Sequence, residues 1–404
     1  MLTRRFLCAA VPLLAASRAW AAEPTPDIIA EQDFDELWET LRDRYCFFAD
    51  KATDWNKVRD LYRPLAVTAQ SDKVYVEVLR LTLNELYDAH THLSDPPDGT
   101  PRWPTFDLVV ERDGDAAVIH AVQEDSAAAT AGLKVGDHVT AVEAQPILAL
   151  ATDLMPRCLT RPDPVAERYA WNAAVSGRRR EGRRLTVRSG AAPPRVVELP
   201  LSTADAEPAL SWRKLDGGLG YIRIASFADA ATATAFDGAL EALKDARGLI
   251  IDVRRNGGGD TAVARPIMGR FIPERKPYAR MRRREGAGLS GAWTEYVEPR
   301  GPFTYTRPVV VLTDAWSASM AEGFPMGMRG IGRARIVGTP MSGLGAAVFP
   351  LRLDRTGIEA QYSAEPVYDV NDKPRWQLQP DVLTRPGDDI LAAGQKELVR
   401  LVGR

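Results

Sequence analysis

Histidine and cysteine are scarce in this sequence, with four and three residues among 404 positions. Cys8 lies in an apolar amino-terminal segment, in the wrong context for lipid attachment, which leaves Cys46 and Cys158. Two thiols so far apart make no disulfide framework; they either pair in an oxidising compartment or stay as buried free thiols. No cluster of His, Cys and carboxylates has metal-ligand spacing, so no metal is expected. Neither G-x-x-x-x-G-K-[ST] nor G-x-G-x-x-G occurs, and no nucleotide or other cofactor is expected. An excess of charge is missing too: 52 Lys and Arg against 54 Asp and Glu leave a net charge of −2, which gives no case for nucleic acid. Arginines do gather between Arg178 and Arg184 and between Arg280 and Arg284, as solvated loops or as the basic rim of a groove. Beyond the amino terminus no apolar run is long enough for a membrane helix.

What the chain does have is ordinary globular composition, 45% hydrophobic and 26% charged, at a length typical of two to three domains. Its start reads as an export signal over residues 1–21. Arg4 and Arg5 precede an apolar stretch from Phe6 to Ala16, and Ala19-Trp20-Ala21 offers small residues for cleavage. "TRRFL" resembles a twin-arginine signal, and an uncleaved anchor is the alternative. The expected destination is the periplasm or another extracytoplasmic space.

Residues 24–95 read as a helical domain, with Ile28, Ile29, Phe34, Leu37, Leu41 and Tyr45 at roughly helical spacing and further helices from Trp55 to Leu65 and Val74 to Tyr87. "SDPPDGTPRWP" (94–104) is a linker. Residues 104–201 hold short alternating strands. Residues 205–404 alternate strands (219–224, 248–253, 308–313, 334–338) with helices (230–245, 260–271, 319–330, 387–402), the pattern of an α/β core. The fold class is therefore multidomain α/β.

Two stretches carry chemistry. In "VVVLTDAWSASMAEGF" (309–324) an apolar strand stops at Asp314, and Ser319 opens a helix. A serine at such a turn is either a helix cap or a nucleophile beside backbone N–H groups that no helical carbonyl satisfies. In "GLIIDVRRNGGGDTAVA" (248–264) the glycines Gly257 to Gly259 either make a flexible turn or bring N–H groups up to a ligand.

Together with "GYIRIASF" (220–227) and "IVGTPMSGLG" (336–345), these stretches resemble, in order and spacing, the tail-specific or C-terminal processing serine proteases. "LYDAHTHL" (86–93) is similar to the D-G-H-T element of tricorn-like relatives, and "SAAATAGLKVGDHVTAVEAQPI" (126–147) to a PDZ-like module. The retinoid-binding repeats of vertebrate eyes share this fold without being proteases. The resemblance implies a helical domain, a PDZ-like β-rich domain that binds peptide ends or serves only as structure, and a ClpP/crotonase-like catalytic core. The substrate it implies is a peptide or an unfolded protein.

By position, the resemblance makes Ser319 the nucleophile and the backbone N–H groups of Met320 and of Gly257 or Gly258 the oxyanion donors. The processing proteases carry a lysine base where this chain has Leu344, which accepts no proton. Tricorn-like relatives use a histidine instead, and His90 stands at the matching position. Its ordinary pKa of about 6.5 suits a base near pH 7 and predicts activity rising through roughly pH 6–7. His92 would share a face with His90 on an extended chain, so the motif alone selects His90. His120 and His138 read as structural.

The tricorn relay departs at two places. Ala89 replaces the serine before the histidine, and counting back from Pro380-Asp381 to the relay glutamate lands on Pro374. Asp369, Asp372 and Glu365 lie near enough in sequence to orient the imidazole, but none matches by position, so the third triad member stays unassigned. Pro325 falls within the first turns of the helix after Ser319, where a proline can kink it. An inactive relative that binds peptide or an apolar ligand in the same cleft is the other reading, and a scaffold acting through the PDZ-like module is a third.

Overall fold

A computed structural model describes residues 26–101, 107–201 and 207–403. The export-signal segment and part of the 94–104 linker lie outside them.

Three helices, Pro26–Arg44, Trp55–Val67 and Asp72–Asn84, open the described chain. Asp54 and Ser71 cap the second and third by accepting backbone N–H groups of their first turns. The third helix ends at Asn84, before Tyr87, which turns the backbone to a positive φ of 36°. Phe34, Leu37, Leu41, Tyr62 and Leu79 fill a core that also takes Leu353, Ala360, Tyr362 and Ala364 from a hairpin far along the chain. The helical region thus closes its core on carboxy-terminal strands.

Residues 108–199 form an antiparallel sheet with its own apolar core, from Leu108 and Val110 to Val197 and Leu199. The helix Pro164–Ser176 packs on it through Trp171, Ala174 and Val175.

The carboxy-terminal core is a six-stranded sheet in the order Val382–Leu383, Arg335–Gly338, Val309–Thr313, Leu249–Asp252, Leu219–Ile224, Leu210–Leu215. All neighbours are parallel except the last pair. Both faces are covered, which is why the central strands read as continuous apolar runs. Ile222, Ile251 and Val311 face the helices Ala231–Ala242, Thr261–Met268 and Met320–Gly330. Ile250, Val310 and Leu312 face the helix Ile390–Val402, which comes so close that a Cβ on Gly394 would lie 2.4 Å from Leu312.

A second antiparallel sheet, which the sequence pattern did not announce, flanks this core. The long strand Glu359–Tyr368 pairs with Ala346–Arg352, with Lys276–Met281 and with His92–Leu93, and Trp293–Val297 adds an edge. His92 and Leu93 stand opposite Gln361 and Ala360, so the segment from the helical region is a strand of this sheet. The helix Met320–Gly330 contacts both sheets and continues through Pro325 rather than breaking there. Among the described residues no helix is long and apolar enough to cross a membrane.

Candidate active site

Two strand ends of the core place the serine and the glycines side by side. After Val309–Thr313, the buried Asp314 accepts hydrogen bonds from the N–H groups of Arg255 and Trp316 and from the Ser317 hydroxyl. Ser317 also donates to the Val253 carbonyl, so the two loops are tied before Ser319 is reached. Ser319 itself sits at φ 56°, ψ −114°, a backbone state that non-glycine residues rarely adopt and that marks functional turns.

Asn256 fixes the glycine loop: its amide donates to the Ile224 carbonyl, its Oδ1 accepts from Gly258 N, and its own carbonyl accepts from Ala318 N. Gly258, at φ 105°, lies so near the serine that a Cβ would stand 2.8 Å from the Ser319 Cβ and 3.0 Å from Met320 N. The structure separates the two candidate glycines. The Gly258 N–H is already bound by Asn256, whereas among the described residues the N–H groups of Gly257 and Met320 donate to no protein acceptor.

Glu322, in the first turn of the serine's helix, was not recognised from the sequence as a site residue. Its carboxyl accepts from Ser319 N at 3.0 Å and from Gly343 N and Leu344 N at 3.1 and 2.7 Å. It therefore clamps the loop that bears Leu344 to the serine's helix. Burial pushes its pKa up to about 7, against the pull of Arg375 and of these three N–H groups. The S-x-x-E capping pattern, present as Ser319 to Glu322, was the signal that would have found it.

Ser319 and Met320 open on a cleft of about 420 Å³ that runs past Gly259 and Tyr278 to Val348 and Arg375. His90 is not among the residues lining it. It is buried, 7% exposed, in a loop held to the strand Glu359–Tyr368. There Asp88 accepts from His90 N, from the Thr91 hydroxyl and from the Ser363 hydroxyl at 2.7 Å, while the His90 carbonyl accepts from Gln361. Nδ1 of the ring has no hydrogen-bond partner among the described residues.

Burial, with Arg375 and His92 adding to it against Asp88, lowers the His90 pKa to about 4. That displaces the expected value of about 6.5 downward, because desolvation disfavours the imidazolium. None of the three nearby carboxylates orients the ring. Asp369 caps the turn to Lys373, Asp372 meets Arg280 and Arg282, and Glu365 lies 3.7 Å from Arg283. His92 bonds the carbonyl of Leu93, and His138 meets Asp113. Cys46 and Cys158 are free and buried, and burial raises the Cys158 thiol to about 12.

Residues 218–384 match the profile of peptidase family S41, and residues 30–84 match the tricorn protease C1 domain. Over those residues the carboxy-terminal core is similar to a family S41 peptidase domain. Carboxy-terminal processing protease CtpB of Bacillus subtilis (strain 168) is 33% identical over 154 residues, 37% of this chain and 29% of that one. The match thus spans less than a third of the length of this curated relative. Among solved structures, mature CPAF superposes with a TM-score of 0.64 at 15% identity, over 93% of this chain and 96% of that one. The photosystem II D1 C-terminal processing protease gives 0.58 at 18%, over 93% and 97%. At such identities the likeness is one of fold, and its coverage takes in the helical region and the antiparallel sheet as well as residues 218–384.

Proposed function

We propose that this protein is a peptidase of the S41 type that hydrolyses peptide bonds with Ser319 as nucleophile and His90 as general base, in the manner of the tricorn-like branch. The observation that carries the reading is the strained Ser319, which opens with Met320 on one cleft, together with the N–H groups of Met320 and Gly257, which donate to no protein acceptor among the described residues. In the reaction the Ser319 oxygen attacks the peptide carbonyl and its proton passes to the imidazole. The oxyanion forms against Met320 N and Gly257 N, where fixed dipoles stabilise it without reorganising. The imidazolium then gives its proton to the leaving amine, and water releases the acyl group and regenerates the serine. The antiparallel module over 108–199 would present peptide ends as a PDZ-like domain, and the amino-terminal segment would direct export.

A second reading, a binding protein without turnover, is favoured by one arrangement. His90 is buried outside the cleft lining with its Nδ1 unpartnered, and Leu344 supplies no alternative base. A fluorophosphonate probe separates the two. Labelling of the folded protein that is lost in Ser319→Ala is the expected result. No labelling, together with no turnover of unfolded protein or C-terminal peptides, would replace the peptidase by the binding protein.

A further inference from the structure

Arg375 is a charged side chain that the mechanism leaves without a role. It is 5% exposed and lines the same cleft as Ser319 and Met320. Its approach is made possible by Gly323, one turn into the serine's helix, where a Cβ would lie 3.3 Å from the guanidinium and 2.8 Å from the Met320 methyl. One terminal nitrogen donates to the carbonyls of Leu344 and Ala346, at 2.6 and 3.1 Å. Nε is buried without a partner, and among the described residues no carboxylate comes within 4.0 Å of the guanidinium.

The other buried arginines differ. Arg183 meets Asp107, Arg223 meets Glu207, and Arg270 meets Asp237. Glu322, the nearest candidate partner, directs its oxygens to three backbone N–H groups instead. A guanidinium withdrawn from water, without an ion pair and facing an otherwise largely apolar cleft, is an arrangement that an incoming anion completes. The other charged residue along the cleft, Asp260, caps the helix Thr261–Met268 and is exposed.

We propose that Arg375 receives a carboxylate of the bound peptide, and so selects substrates that carry an acidic side chain or a free chain end beside the bond that Ser319 attacks. The proposal rests on Ser319 being the reactive residue. It sets the Arg375 guanidinium as the specificity determinant of the cleft, with Tyr278, Met281 and Val367 accommodating the apolar part of the same residue.

The test is a positional scan of fluorogenic peptides in which Glu or its isostere Gln occupies each position in turn, with free and amidated ends. At one position, or at the free end, the carboxylate should raise kcat/KM about tenfold over its neutral counterpart. The Glu arm identifies a side chain and the free-end arm a terminus. In Arg375→Gln the ratio should fall to about one, and Arg375→Lys should keep part of it. Equal rates for Glu and Gln everywhere, and for free and amidated ends, overturn the proposal while leaving Ser319 as nucleophile.

Should Arg375→Gln fail to fold, protection of wild-type Ser319 from the fluorophosphonate decides. The Glu peptide must slow labelling more than its Gln twin, and equal protection sinks the idea. If Ser319 never labels, calorimetric titration of the wild type with the same two peptides still decides for or against Arg375.

Discussion

At the scale of single residues, the site is governed by what water cannot reach. His90 holds its proton only below about pH 4, because burial first, and Arg375 after it, disfavour the imidazolium. In the proposed reaction the neutral ring is the form that would accept the Ser319 proton. Activity should therefore be lost as pH falls through about 4, and a change of kcat/KM near pH 7 would report Glu322, whose carboxyl titrates at about 7, rather than His90. A pH profile of kcat/KM measures this directly. A limb in the range of a lysine would remove His90 from the reaction. The lowered pKa also makes the imidazole a weaker base, which the oxyanion donors must offset for turnover to be fast.

At the scale of elements, the turn that presents Ser319 is built by two loops that lock into one another. Gly258 is where they meet, with φ 105° and only 2.8 Å between the site of a missing Cβ and the Ala318 carbonyl. Gly258→Ala should cost about 1–3 kcal/mol in strain, more if the loop cannot yield, and should abolish fluorophosphonate labelling. Chemical denaturation and labelling of the same sample check both halves. A variant that labels at the wild-type rate would show that the loop does not support the serine.

How much of this was legible from residue order follows the same division. The core strands are buried on both sides, so runs such as Leu249–Asp252 and Val309–Thr313 stand out at once. The turns that hold Ser319 and the glycines are readable because each is marked by a short stretch of neighbours directly after such a run. The second sheet was not. Its strand Ala346–Arg352 is largely exposed and its partners come from three distant segments, so no local period marks it. Arg375 stayed hidden for a related reason: it stands beside Pro374, where a relay carboxylate was sought, and its environment is made by Gly323, Leu344 and Ala346.

At the scale of the whole molecule, the loop carrying His90 is tied to the long strand Glu359–Tyr368 of the carboxy-terminal half. Asp88 is the hub, joining His90 N and Thr91 on its own loop to Ser363 on the long strand. Asp88→Ala leaves these donors buried without an acceptor, and a loss of at least about 2 kcal/mol is expected. Turnover should fall further than stability does, because the imidazole loses its fixed position. Thermal unfolding alongside kcat separates the two effects. Wild-type turnover in a destabilised Asp88→Ala protein would show that His90 is held by something else. Arg254 and Arg255, just before the glycines, reach Glu124 and Asp125 of the antiparallel module, so that module touches the glycine loop directly.

The helices that leave the ribosome first have to wait. Leu353, Ala360, Tyr362 and Ala364 complete their apolar interior, and these residues emerge only when most of the polypeptide has been made. Until then the amino-terminal third keeps greasy surface in water, a condition that slows folding and invites aggregation. Such a chain gains from a holding chaperone during synthesis, and shortening it at its far end would unfold its beginning.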